Sequence, residues 1–130
     1  MIVSHMSQST QIRIAALFMF IAVGLGAFGA HGLNDKLIET DHVDTWKTAT
    51  SYLLVHGVAL LAVAIARRQG KAPLCFWAWL LGSIIFSGSL YVLSLTGISK
   101  LGAITPIGGL GFLIGWAALI IKPLQALGDR

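Results

Sequence analysis

The chain has 130 residues, 56% of them hydrophobic and only 11% charged, with a mean hydropathy of +0.83. About a quarter of the residues of a soluble domain are charged, so this composition excludes an ordinary soluble fold. The net charge of +4 comes without a basic run interleaved with aromatics, which argues against a nucleic-acid partner, and the single Cys75 excludes an intrachain disulfide or a cysteine metal cluster.

The chain opens on a polar stretch, Met1–Gln11, that reads as a disordered cytoplasmic tail. Four apolar runs follow: Ile12–Ala30, Ala49–Ala66, Leu74–Leu95 and Ile104–Ile121, of 19, 18, 22 and 18 residues. A helix of about 20 apolar residues crosses a hydrocarbon core of about 30 Å. The predicted fold class is therefore an all-α membrane protein, with four transmembrane helices in an antiparallel bundle. They form one domain over 12–121, followed by a cytoplasmic tail at 122–130. The first run is too long for the apolar region of a cleaved signal peptide, roughly 7–15 residues, and is read as a span.

The first loop, Gly32–Thr48, is the long one. Leu33, Leu37 and Ile38 fall at helical spacing among Lys36, Glu39 and Asp44. The pattern predicts a short amphipathic helix in the outer interface between helices one and two, with Trp46 anchored at headgroup depth. The second loop holds the basic cluster Arg67-Arg68-Gln69-Gly70-Lys71, and Trp77 and Trp79 beyond it are expected as anchors at the inner interface. The third loop, Gly97–Ala103, is short, so helices three and four pair as a hairpin, as do one and two. Six basic residues fall on one side (Arg13, Arg67, Arg68, Lys71, Lys122 and Arg130) and three on the other (Lys36, Lys47 and Lys100). The positive-inside rule then places both termini in the cytoplasm.

Polar side chains inside a membrane are costly and turn towards the bundle interior. With this orientation, His31, Tyr52, His56, Ser87, Ser89, Tyr91 and Thr105 all lie in the outer half. They are candidates for a polar pocket opening outward, with His31 at its rim and His56 at its floor. The plainer alternative is hydrogen bonding that joins helices, each bond worth about 0.6 kcal/mol. The two histidines lack a third ligand at their level, so no metal or haem is expected, and no catalytic residue is assigned. Small residues recur at four-residue spacing in helices one and four. Gly26, Ala30, Gly108, Gly111 and Gly115 are expected to let backbones pack closely.

Several segments together carry a family resemblance. Gly26-Ala27-Phe28-Gly29-Ala30-His31-Gly32-Leu33 is the first, followed by Trp46-Lys47-Thr48-Ala49 and Tyr52-Leu53-Leu54-Val55-His56. Phe86-Ser87-Gly88-Ser89-Leu90-Tyr91 and Leu101-Gly102-Ala103-Ile104-Thr105-Pro106-Ile107-Gly108-Gly109 complete the set. In this order they resemble the small membrane proteins of domain of unknown function 423, to which the animal transmembrane protein 256 is also similar. The resemblance spans about Ile12 to Ile121. It implies four membrane helices and a bacterial inner-membrane location, and it supplies no reaction and no cofactor. The expected function is that of a non-enzymatic bundle acting through protein or lipid contacts, with the bilayer and a second copy of the chain as partners. The alternative is a small transporter or ligand-binding bundle, its ligand unidentified, that uses the pocket around His31 and His56.

Overall fold

The computed structural model describes residues 6–67 and 72–124. Much of the basic second loop (Arg68 to Lys71) and the ends of both tails lie outside the described residues. Helix α1 runs Gln8–Ala30, α2 Asn34–Glu39, α3 Val43–Ala66, α4 Leu74–Thr96 and α5 Thr105–Ile121, with a 3-10 turn at Ser99–Ala103 before α5. The described residues form an all-α membrane protein. Four of its helical segments, α1, α3, α4 and the 3-10 turn with α5, are long and apolar enough to cross a bilayer.

Two boundaries differ from the sequence expectation. Helix α1 begins at Gln8, inside the stretch expected as a tail, because Ser7 caps it: the Ser7 hydroxyl accepts the Thr10 N–H at 3.2 Å, satisfying one of the free amides of the first turn. Helix α3 begins at Val43, six residues before the apolar run, so Trp46 lies in the first turns of a long helix rather than in a loop. Lipid length limits the apolar part of a helix, and the polar first turns can project beyond it. The loop itself contains the short α2. Its Leu37 is buried against the α1–α3 pair while Ile38 stays exposed, so the turn folds back onto the bundle through one side chain.

The helices pack in a row in chain order: α1 on α3, α3 on α4, α4 on α5. Helices α3 and α4 form the middle, and α1 and α5 the edges, which show Leu17, Phe20 and Val23 on one and Ile107, Leu113 and Ile120 on the other to the surroundings. Two apolar clusters fill the interior. One, around Leu60, Phe76 and Trp79, joins α1, α3, α4 and α5, and the other, around Ala22, Leu37, Trp46 and Tyr91, lies towards the α2 end. Helix α4 ends at Gly97, whose φ of 71° is a left-handed cap that a side chain would disfavour; its N–H closes onto the Leu93 carbonyl at 2.8 Å.

Candidate functional site

The polar side chains within the spans form two groups at different depths. The first centres on Trp46, which is only 3% exposed. Its indole N–H donates to the Leu25 carbonyl of α1 at 2.8 Å, and its ring occupies the space where Gly29 lacks a side chain. The Tyr91 ring of α4 meets it edge-on, with centroids 4.6 Å apart, and the Tyr91 hydroxyl pairs with Thr50 at 2.7 Å. On the same two helices Ser87 donates to the Ala49 carbonyl at 2.8 Å. Ser89 turns the other way, bonding the Phe86 carbonyl at 2.9 Å and Thr105 of α5 at 2.6 Å. These bonds tie α1 to α3, α3 to α4 and α4 to α5.

The second group is an aromatic layer around His56, near the middle of α3 and 4% exposed. His56 Nδ1 lies 2.9 Å from the Tyr52 carbonyl, one turn back, and its Nε2 accepts the Trp116 indole N–H of α5 at 3.1 Å. A carbonyl can only accept and an indole N–H can only donate, so the hydrogen-bond pattern assigns the neutral imidazole with its proton on Nδ1. Phe112 stacks on the ring at 3.7 Å, and Tyr52 lies parallel to it at 6.2 Å. Trp79 closes the layer, its N–H towards the Phe112 carbonyl at 3.3 Å and its ring over Gly115.

His31 belongs to neither group. It is the exposed residue that ends α1. Gly57, next to His56, lies against Met19 of α1. Twelve residues separate Met19 from His31, about 18 Å along the helix at 1.5 Å per residue. The two histidines therefore do not share a cavity. His56 does point into the bundle, but its partner from another helix is the Trp116 indole, rather than a hydroxyl or a carbonyl. Tyr52 is largely exposed, and its part in the layer is its ring.

The tryptophans also depart from expectation. Trp46 and Trp79 are buried instead of anchored at headgroups, because each fills a slot over a glycine and finds a carbonyl for its N–H. Trp77 is half-buried in the first turn of α4, edge-on to Phe76. Of the small residues, Gly108, Gly111 and Gly115 face α4 and Gly26 faces Thr50 of α3, while Ala30 is exposed and Gly29 takes the packing role. At Gly108 an added Cβ would strike the Phe86 backbone nitrogen and come within 2.8 Å of the Gly82 carbonyl oxygen. Among the described residues no three His, Cys, Asp or Glu side chains gather as metal ligands.

The family described as protein of unknown function (DUF423) matches residues 25–109. A UPF0382 membrane protein of Staphylococcus epidermidis is 46% identical over 119 residues, covering 90% of this chain and 97% of its own length. The chain belongs to this family. The UPF0382 membrane protein YwdK of Bacillus subtilis is 41% identical over 120 residues, covering 89% of this chain and 97% of its own. A UPF0382 membrane protein of Staphylococcus aureus USA300, SAUSA300_0565, is 48% identical over 120 residues, with coverage of 90% and 97%. No solved structure matches. This DUF423 chain is thus a small membrane protein, similar over nearly its whole length to bacterial proteins named only as membrane proteins. The DUF423 match takes in Leu25, Gly29, Trp46, His56 and Trp79 and stops before Phe112 and Trp116.

Leu25, Gly29, Thr50, Phe112 and Trp116 were not singled out by sequence reasoning. Gly29 sits within the Gly26–Ala30 segment, and its pairing with Trp46 depends on the relative register of α1 and α3, which one sequence does not carry. Trp116 lies 60 positions from His56 and reads as one more apolar residue of α5.

Proposed function

We propose that this chain is a non-enzymatic membrane bundle that acts through contacts of its outer surface with lipid or protein, a second copy of itself included. Both termini lie on the cytoplasmic side of a bacterial inner membrane. The observation that carries the reading is how the polar groups inside the spans are used. Ser87 and Ser89 direct their hydroxyl groups at the Ala49 and Phe86 carbonyls, and Thr50 pairs with Tyr91. A serine nucleophile would need its hydroxyl aimed at a base. The acceptor nitrogen of His56 faces Trp116 instead. The Ser87–Ala49, Thr50–Tyr91 and Ser89–Thr105 bonds join helices, each for a fraction of a kcal/mol, about 0.6 on average, while the Ser89 bond to Phe86 stays within α4. The bilayer orientation rests on the six basic residues against three. A transporter or ligand-binding pocket shared by His31 and His56 has less support, since one lies at the end of α1 and the other near the middle of α3.

The test is site-specific photo-crosslinking in bacterial membranes, with the photoreactive residue at Phe20 of α1 or Ile120 of α5. Protein adducts, to a second copy or to a partner, are expected at one or both edges and absent at the buried Ala49. Equal yields at Ala49 and at the edges would overturn the reading. For the orientation, a cysteine at Asp35 in a Cys75→Ala background should react with an impermeant thiol reagent in intact cells, and one at Lys122 should not. The reverse pattern overturns that part.

A further inference from the structure

Trp116 sits over His56 like a stopper. Its indole N–H reaches His56 Nε2 at 3.1 Å, and its ring lies 4.3 Å from that of Trp79 on the other side. Trp116 stays 39% exposed on the outer surface of α5, whereas His56 beneath it is 4% exposed. The buried imidazole therefore keeps one lone pair directed at a single, partly exposed side chain. Around that lone pair stand flat rings: Phe112 stacked on the imidazole, Trp79 edge-on to it at 6.2 Å, and Tyr52 leaning on Phe86 at 4.5 Å. Helices α3 and α5 approach each other here through side chains, with α4 packed between them in the row.

We propose that Trp116 closes a membrane-facing binding slot over His56 whose ligand is a lipid-soluble phenol or hydroquinone, a planar ring bearing a hydroxyl on an apolar tail. Three features select this chemistry. The Trp116 ring itself packs 4.3 Å from Trp79 and 5.9 Å from His56, so another flat ring can take its place once the indole swings out. His56 Nε2 can only accept, so the ligand must donate; a quinone, whose ring oxygens are acceptors alone, would lack the bond. The entrance opens on an apolar surface, so the tail remains in lipid, and a charged ammonium donor would lose its hydration without a compensating counter-charge. The slot opens on the α5 edge that the proposed function also uses, with Ile120 one turn beyond Trp116; its test reads a saturable small-molecule shift whereas the crosslinking reads protein adducts, so either reading can fail without the other.

The test uses the full chain in phosphatidylcholine nanodiscs, with NMR of the Trp116 indole and the His56 ring nitrogens. The probe is 4-dodecylphenol, and the control is its methyl ether, 4-dodecylanisole, which has the same ring and tail and no donor. With the phenol, the Trp116 indole N–H and His56 Nε2 resonances should shift together and saturate; with the ether they should not. Trp116→Phe removes the competing N–H, so the phenol should bind about tenfold tighter, the worth of roughly one net hydrogen bond. His56→Leu should show no saturable shift at the remaining Trp116 indole. Identical, unsaturable shifts with phenol and ether in the wild-type chain would mean simple partitioning into the bilayer and would overturn the proposal, with no dependence on how any variant folds. Unchanged affinity in a folded Trp116→Phe variant would overturn it as well.

Discussion

The α4–α5 contact can be probed by adding one methyl group at a time. At Gly108 a Cβ would lie 2.8 Å from the Gly82 carbonyl oxygen and 2.7 Å from the Phe86 Cβ, and it would also strike the Phe86 backbone nitrogen. Ordinary van der Waals contact begins at 3.4 Å, so against the Gly82 oxygen alone the helices must part by about 0.6 Å. Two of the three obstacles are backbone atoms, which no rotamer change can move aside. A gap of about 0.5–1 Å forfeits roughly a quarter to a half of each dispersion contact nearby, and overpacking typically costs about 1–3 kcal/mol. Gly108→Ala should therefore destabilise the protein by about 2–3 kcal/mol. Gly26→Ala, whose Cβ would meet only the Thr50 methyl at 3.2 Å, should cost less. Gly24→Ala and Gly88→Ala add a methyl into open space, and they should be neutral or stabilising by up to about 1 kcal/mol, since alanine favours the helix. Unfolding of the series in a fixed detergent, by increasing the mole fraction of a denaturing surfactant and following helical circular dichroism, measures the order. Equal loss at Gly24 and Gly108, or none at Gly108, would refute the close-approach reasoning.

Two further outcomes follow from single hydrogen bonds. Trp46→Phe keeps a ring over Gly29 but removes the donor to Leu25, and should cost about 0.6–1.7 kcal/mol in the same assay, from the average to the maximum found for interhelical bonds in lipid. Gln8→Ala should free the carbonyls of Ala64 and Arg67, which the Gln8 amide now holds at 3.0 Å each, and should raise amide exchange in the last turn of α3 while leaving the α4–α5 pair unchanged; unchanged exchange there would show that the amide holds nothing.

The four long helices were legible because the bilayer imposes a length and a composition that few other structures share. The candidate site was legible only in part. His56, Ser87, Ser89, Tyr91 and Thr105 stand out as polar groups in apolar runs, and the structure gives each an interhelical hydrogen bond, whereas Tyr52 contributes a ring. Trp46 and Trp79 misled because tryptophan is enriched at headgroup level, and burial depends on a glycine at matching height on another helix. Helical periodicity gives the face of a residue on its own helix but not the vertical register between helices. For the same reason nothing in the sequence tied Trp116 to His56, or Gln8 to the end of α3.

The row arrangement bears on how such a chain is made. Among the described residues every extensive contact joins spans that follow one another during synthesis, so each new span entering the bilayer meets its partner already in place. Local contacts of this kind close quickly, since little chain entropy is lost in bringing neighbours together. The layer in which Trp116 bonds His56 and Phe112 stacks on it is the exception, reaching from α5 past α4 to α3. It can form only when α5 has arrived, and its indole resonance would mark the moment at which the four described spans have come together.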